Sequence, residues 1–252
     1  METEPTKIGD IKLPPIFDGP PKPRPSTPRI LPPEQQELFL RQCGRRGIDP
    51  RHATPWTTGL MALNLATPWG AVDQKLSALS GRGCLMILVG PKGTGKTQIA
   101  VNQACDIIAQ VRRGVAGQWT EGRYHPAHDV PEDTWPRYTK ACAIFEDVRA
   151  SFQEDQSDSE KRIMASYRRP SLLIVDEAQE RGNTDFEDRT LTRIVDDRYA
   201  QMLDTLLIAN LRREDLVKNL GTSIISRMHE CGEVFECDWP SFREGANVRE
   251  VA

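Results

Sequence analysis

The sequence lacks several features that would assign it to a particular class of protein. No apolar run approaches the ~18 residues of a membrane-spanning helix, so we expect no membrane segment. The opening METEPTKIGD has neither the charged start nor the apolar core of a secretion signal. The net charge is −3, which gives no overall attraction to nucleic acid. Any such contact must therefore be a local patch.

The cysteines also lack a metal-binding pattern. None of the six stands in a CxxC pair, and this spacing argues against a structural zinc site. In a chain of 252 residues, we interpret them as reduced thiols of a cytoplasmic protein. The positions are Cys43, Cys84, Cys105, Cys142, Cys231 and Cys237.

Proline is concentrated at the N-terminus. Ten of the nineteen prolines fall within residues 1–33. Because proline cannot donate a backbone hydrogen bond and restrains its predecessor, these residues predict an extended tail. Two interpretations are open: a disordered leader, or a short linear motif that binds a partner. The apolar anchors of such a motif are Ile11, Leu13, Ile16 and Phe17.

Residues 34–69 predict an N-terminal helix and a linker. Pro33 suits the start of the helix and Gly44 suits its end. Arginines crowd this segment, and they form either a solvated face or a contact with a phosphate backbone. They are Arg41, Arg45, Arg46 and Arg51.

From about residue 70, short apolar runs alternate with helical patterns, which predicts a parallel sheet because each crossover needs a helix to return. We interpret residues 114–136 as a loop or insertion. The segment KACAIFEDVRASF (140–152) predicts a strand leading into a helix. Buried strands are expected at 84–89, 172–175 and 205–210, and helices at 97–113 and 191–202.

The residues GPKGTGKT (90–97) fit the Walker A pattern G-x-x-x-x-G-K-[ST], between an apolar strand and an amphipathic helix. Glycines let successive N–H groups turn toward a β-phosphate, at the positive end of the helix. Lys96 is placed to reach the β- and γ-phosphates, and the Thr97 hydroxyl to bind Mg²⁺. A nucleoside triphosphate is therefore predicted. Its candidate binding residues are Gly90, Pro91, Lys92, Gly93, Thr94, Gly95, Lys96, Thr97 and the following Gln98.

Two acids end the strand LLIV at the sheet edge where ligands of parallel sheets bind. Asp176 is the candidate to hold Mg²⁺ through water, and Glu177 to polarise the water that attacks the γ-phosphate. Taken alone, Glu177 also suits a solvent-facing helix start. Asn210 ends the strand TLLIAN, where an amide can orient that water without adding charge; a simple strand-ending turn is the alternative.

Two late arginines, Arg227 in GTSIISRMHE and Arg243 in DWPSFRE, complete the set. An arginine that a neighbouring subunit brings to a γ-phosphate offsets developing charge and contributes about 10³–10⁵ in rate. From the residues alone, each of the two also suits an ordinary surface position.

Five segments in this order resemble the DnaC/DnaI-type helicase loaders and their IstB-like relatives, a branch of the AAA+ ATPases. The likeness spans about residues 45–245. It implies that Asn210 is the sensor-1 residue, Arg227 the arginine finger and Arg243 the sensor-2 arginine. The segments are GPKGTGKT, LLIVDEAQE, LTRIVDDRYAQMLDTLLIANL, LGTSIISRM and WPSFR.

The resemblance implies an α/β fold, with the P-loop AAA+ ATPase domain over residues 70–252. We expect a three-layer parallel sheet and a reduced C-terminal lid. The implied cofactors are ATP and Mg²⁺. The implied partners are single-stranded DNA, other copies of the chain in a homo-oligomer, and a DnaB-like replicative helicase or a transposase.

Three functions are compatible with these residues. The first is a DnaC-like helicase loader in DNA replication, with weak ATP hydrolysis that rises on assembly or with DNA. The second is an IstB-like transposition helper ATPase, which shares every catalytic residue. The third is a monomeric P-loop nucleotide enzyme, against which stand the Asp-Glu pair, Asn210 and the late arginines. Capture of a helicase or of a transposase separates the first two, and phosphate release stimulated by single-stranded DNA excludes the third.

Overall fold

A computed structural model describes residues 33–58, 67–112, 118–120, 123–125, 130–152, 157–182 and 184–243. Residues 1–32 of the proline-rich tail, 59–66 of the expected linker and much of the expected insertion lie outside this part of the chain. Within the insertion, two short antiparallel strands pair with each other.

A five-stranded parallel sheet forms the centre of the fold, in the order β4-β5-β6-β1-β7. All four pairings are parallel, and the three strands expected from apolar runs form its middle. This confirms the predicted α/β class. The strands are β1 (Leu85–Val89), β2 (Gln118–Thr120), β3 (Arg123–His125), β4 (Arg137–Lys140), β5 (Leu172–Asp176), β6 (Asp204–Ala209) and β7 (Glu233–Glu236).

Helices cover both faces of the sheet, so alternate residues of one strand enter different cores. In β1, Met86 and Leu88 join the core with the first four helices, whereas Leu85 and Ile87 join the core with the last five. Strands buried on both faces read as continuous apolar runs. The helices are α1 (Pro33–Arg45), α2 (Pro50–Thr58), α3 (Pro68–Leu79), α4 (Lys96–Arg112), α5 (Ala141–Ser151), α6 (Ser157–Arg168), α7 (Asp185–Ala200), α8 (Leu216–Leu220) and α9 (Thr222–Cys231).

The prediction for residues 140–152 is wrong in one respect. The strand there ends at Lys140, and the apolar part of the segment is helix α5. Ile144, Phe145 and Val148 are buried, and their spacing places them on one face of a helix. The strand itself is RYTK, which carries no apolar run.

A fully buried arginine ties α7 to the sheet. Arg198 donates to Thr205 Oγ1 at 2.9 Å and to the carbonyl oxygens of Arg168 and Pro170 at 3.0 and 2.8 Å. Burial lowers the pKa of its guanidinium. A buried charge is tolerated only when its donors are satisfied, so these bonds join the end of α7 to the start of β6 and to the turn between α6 and β5. No described helix has the length and apolarity to cross a bilayer.

Candidate nucleotide-binding site

The phosphate loop, residues 90–97, joins β1 to α4 at the carboxyl edge of the sheet. Gly90 and Gly93 have φ of 135° and 88°, a region that other residues rarely adopt. A Cβ atom at Gly90 would collide with the carbonyl of Cys237, and one at Gly93 with the hydroxyl of Ser241. The C-terminal segment therefore packs against the loop so closely that only glycine fits.

Lys96 begins α4, and its side chain lies back along the loop. The ammonium donates to the carbonyl oxygens of Gly90 at 2.8 Å and Pro91 at 2.6 Å. The residue is only 4% exposed, and burial lowers the pKa of the ammonium. A buried cation held by two neutral carbonyls is well suited to an anionic ligand, because a phosphate supplies the charge that the carbonyls lack.

Thr97 and Asp176 lie next to each other, as the two motifs require. The Thr97 hydroxyl donates to Asp176 Oδ2 at 2.7 Å. The same oxygen accepts a hydrogen bond from the Tyr138 hydroxyl at 2.9 Å. Burial, followed by the charge of Asp176, raises the pKa of Tyr138, so the phenol remains a donor. The carboxylate is thus oriented from both sides beside the loop.

Glu177 follows in a strained backbone conformation, with φ of 54°. Non-glycine residues with positive φ are uncommon and cluster at functional sites. Its carboxylate lies 2.8 Å from the ammonium of Lys140, at the end of the neighbouring strand β4. The hydrogen bond to Glu177 raises the pKa of Lys140. The ion pair therefore holds the Glu177 side chain toward β4, the edge strand of the sheet.

Asn210 directly follows β6, and Gln98 lies in the first turn of α4. The N–H of Asn210 donates to Gln179 Oε1 at 3.0 Å, and the next carbonyl, of Leu211, accepts from the Gly90 N–H at 3.1 Å. The end of β6 therefore contacts the start of the phosphate loop. The Gln98 side chain donates to the carbonyl of His52 at 3.0 Å, which joins α4 to α2.

The segment after β7 crosses the phosphate loop and brings Arg243 to it. The indole N–H of Trp239 donates to the Thr94 carbonyl at 2.9 Å, and the Phe242 N–H donates to the Gly93 carbonyl at 3.0 Å. The Arg243 side chain is exposed beside Gly93. An arginine in this place supplies positive charge at the mouth of the loop.

Arg227 is held elsewhere. On α9, its Nε lies 2.8 Å from Asp196 Oδ1 of α7, and its Nη1 donates to the Ser223 hydroxyl at 2.8 Å. The guanidinium also lies over the Tyr199 ring, 5.5 Å from its centroid. These partners belong to α7 and α9, so the described contacts do not bring Arg227 to the phosphate loop of its own chain.

Comparison with known proteins gives matches among solved structures. Neither a protein family nor a curated protein matches the sequence. Domain III of the Thermotoga maritima replication initiation protein DnaA is 14% identical, covering 73% of this chain and 66% of that one, with a TM-score of 0.52. At this identity, the likeness shows the fold.

The chain has the AAA+ P-loop ATPase fold. Similar structures also include the DnaC helicase loader, 18% identical over 66% of this chain and 90% of that one, with a TM-score of 0.48. DnaI is 14% identical over 72% and 87%, with a TM-score of 0.49.

The donor set of the site fits a magnesium-bound triphosphate. Backbone N–H groups of the loop and the buried Lys96 ammonium suit phosphate oxygens. The Thr97 hydroxyl and the Asp176 carboxylate are hard oxygen ligands, which Mg²⁺ prefers. Glu177 directly follows Asp176, and a carboxylate can accept a proton from a water molecule.

Three residues at this site were not predicted from the sequence. Tyr138 and Lys140 come from β4, which has no apolar run to mark it as a strand. Trp239 comes from an irregular segment whose path over the loop has no local signal. The one available signal was that RYTK directly precedes a helical pattern, so that its last residues reach the carboxyl edge of the sheet.

Replacing Lys140 with methionine is expected to raise basal ATP hydrolysis about two- to fivefold, since an exposed ion pair of this kind contributes up to about 1 kcal/mol. Without the ammonium, Glu177 is free to face the loop. Phosphate release under saturating ATP measures the rate. Lys75→Met is the matched control, because Lys75 also forms an exposed ion pair, at 3.9 Å with Glu233. An unchanged or lower rate for Lys140→Met would show that the pair does not restrain Glu177.

Proposed function

We propose that this chain is an ATP-dependent, DnaC-like helicase loader of the cytoplasm, which binds ATP with Mg²⁺ and hydrolyses it. The observation that carries the proposal is the 2.7 Å hydrogen bond between Thr97 and Asp176, because it brings the phosphate loop and the acidic strand end into contact. Thr97 and Asp176 would hold Mg²⁺, which would neutralise charge on the phosphates.

The other site residues have distinct proposed roles. Lys96 leaves the loop carbonyls to bind phosphate oxygens, and Glu177 accepts a proton from the attacking water. Asn210 orients that water, and Arg243 adds positive charge over the loop as the sensor-2 residue. Gln98 contributes through its place in the first turn of α4, where backbone N–H groups face a phosphate.

We propose that Arg227 acts on a neighbouring copy of the chain. Within its own chain, it is occupied by Asp196 at 2.8 Å, so an isolated chain has an incomplete site. Hydrolysis should therefore be weak in dilute protein and rise with self-association. Residues 70–252 are the proposed ATPase domain, and proline-rich residues 1–33 are the proposed extended tail, either a disordered leader or a motif that binds a partner.

Mixing two inactive variants tests this arrangement. Arg227→Ala lacks the finger, and Glu177→Gln lacks the catalytic base. In a mixture, an intact Glu177 of one copy meets an intact Arg227 of the other, and the finger contributes about 10³–10⁵ in rate. We expect each variant alone to be inactive and the mixture to regain hydrolysis in proportion to protein concentration. No recovery in the mixture, with both variants folded and assembled, would mean that Arg227 does not act between copies.

A pulldown with the full chain identifies the partner class. We expect a hexameric replicative helicase to be retained when ATP and single-stranded DNA are present. Retention of a transposase instead would assign the chain to transposition as an IstB-like helper. High, concentration-independent turnover of the monomer, unaffected by DNA, would favour a monomeric nucleotide enzyme.

A further inference from the structure

A cavity of about 740 Å³ opens at the outer edge of the sheet. It lies between the turn after α1, the edge strand β4 and the start of α5. The turn is fixed to the strand, because the Tyr138 N–H donates to the Arg46 carbonyl at 2.8 Å. We call this cavity the basic cleft, after its five cationic side chains: Arg45, Arg46, Arg51, Arg137 and Lys140. None of the described residues that line it belongs to the phosphate loop.

The arginines of the basic cleft are only loosely paired. Arg45 and Arg46 lie 4.0 and 3.6 Å from the exposed carboxylate of Glu132. The Arg51 guanidinium lies 3.6 Å from Asp49. All three distances exceed that of a charge-assisted hydrogen bond. In addition, the Nε atom of Arg46 is buried without a hydrogen-bond partner. These guanidinium groups can therefore bind a further anion at little cost.

The fourth arginine has the same loose pairing. Arg137 lies 4.0 Å from Asp147 and donates to the Ser166 carbonyl at 3.3 Å. The first turn of α5 also borders the cleft at Cys142 and Ala143, and the N-terminus of a helix adds partial positive charge. Positive groups thus face the cavity from the turn, the strand and the helix.

The carboxylates that line the cleft are each satisfied by another donor. Asp49 accepts from the Arg51 N–H at 2.9 Å, Asp133 pairs with Arg169, and Asp147 accepts from the Tyr167 hydroxyl. Three carboxylates and five cations line the cleft, and Glu132 and Glu177 lie beside it as the ion-pair partners of Arg45, Arg46 and Lys140. Among the other titratable groups of the lining, His52 shares a hydrogen bond of 2.9 Å with Gln98. The carboxylates are thus engaged, whereas the ion pairs of the four arginines are long.

Arginines cover two of the three aromatic rings that line the cleft. Arg46 lies over the Trp135 ring, 5.5 Å from its centroid, and Arg137 lies 4.1 Å over the ring of Tyr167. Because base stacking needs an open ring face, these rings serve the arginines instead. Recognition in the cleft is thus directed at phosphate and not at bases.

We propose that the basic cleft binds the phosphate backbone of single-stranded DNA. The exposed Arg45 and Arg51 lie at its rim, and the more buried Arg46 and Arg137 lie inside. Positively charged groups are therefore present both at the surface and at the bottom of the cleft. The inference rests on the proposed function and gives its DNA contact a location. A phosphate beside Lys140 also competes with Glu177 for the same ammonium.

Fluorescence anisotropy of a labelled oligodeoxythymidine tests the proposal, using the full chain with a saturating non-hydrolysable ATP analogue. The test variant is Arg45→Ala/Arg51→Ala, and the control is Arg41→Ala, one turn before Arg45 on α1 and paired with Glu37 at 3.1 Å. We expect the double variant to lose about tenfold or more in affinity at low salt. Its salt slope should fall by about 1.4, the value for two phosphate contacts to a single strand. The control should match the wild type.

Oligodeoxyadenosine should bind as well as oligodeoxythymidine, and AMP should displace neither. Equal affinity and salt slope for the double variant and the wild type would overturn the inference while leaving the proposed function intact. Displacement of the oligonucleotide by AMP would make the cleft a mononucleotide site, which also overturns it. If the wild type binds no oligonucleotide with or without the ATP analogue, DNA engagement in the proposed function fails as well.

Discussion

Replacing Lys96 with alanine is expected to remove most of the affinity of the chain for ATP. The ammonium is buried and hydrogen-bonded to two loop carbonyls, and a triphosphate replaces these neutral partners with charged ones. Two charge-assisted hydrogen bonds contribute about 1.5–3 kcal/mol each, so the loss should be on the order of 10²-fold or more. Isothermal titration calorimetry with ATP and Mg²⁺ measures it directly.

The control for this experiment is Lys75→Ala. Lys75 is an exposed lysine of α3, and its ion pair with Glu233 does not involve the phosphate loop. Circular dichroism of both variants establishes that the fold is retained. A single charged hydrogen bond changes the affinity by more than a factor of about two. If the calorimetric affinity of Lys96→Ala lay within that factor of the wild type, Lys96 would not be part of the site.

Replacing Glu177 with glutamine should stop hydrolysis while keeping nucleotide bound. The amide retains the size of the side chain but cannot accept a proton, and loss of a general base costs about 10²–10⁴ in rate. Binding should persist because Lys96, Thr97 and Asp176 are unchanged. We expect the variant to remain in its ATP-bound, assembled state, with larger assemblies in sedimentation velocity than the wild type forms after its ATP is consumed.

Glu180→Gln is the matched control, because Glu180 lies three residues further along and is exposed. Turnover should be measured under saturating ATP for both variants. If Glu177→Gln turned over at the wild-type rate, another group would have to activate the water. If it bound nucleotide weakly, the carboxylate would instead have a structural role in the site.

The parts of the site on continuous apolar strands could be predicted from the sequence. The runs before Gly90 and Asp176 are apolar at every position because both faces of β1 and β5 are buried. Parallel strands end at the same edge of a sheet, so the loop and the acids were expected to meet. The hydrogen bond between Thr97 and Asp176 is the contact by which the loop and the acids meet.

Other parts depend on contacts that local patterns do not encode. The edge strand β4 is short and partly exposed, so neither Tyr138 nor Lys140 carried a signal. Arg198 is fully buried, which is rare for an arginine and not predictable from spacing. Residues 237–243 can pass over the loop only because Gly90 and Gly93 have no Cβ atom. The Walker A motif explains these glycines by phosphate binding alone, so the path of the segment could not be predicted from it.

A crystal structure of the chain with Mg²⁺ and a non-hydrolysable ATP analogue is the most direct test of the central claim. The account predicts the β-phosphate inside residues 90–97, with Lys96 Nζ moved from the Gly90 and Pro91 carbonyls onto phosphate oxygens. Mg²⁺ should lie between Thr97 and Asp176. An empty phosphate loop at saturating analogue, or a nucleotide bound at another place in the chain, would contradict it.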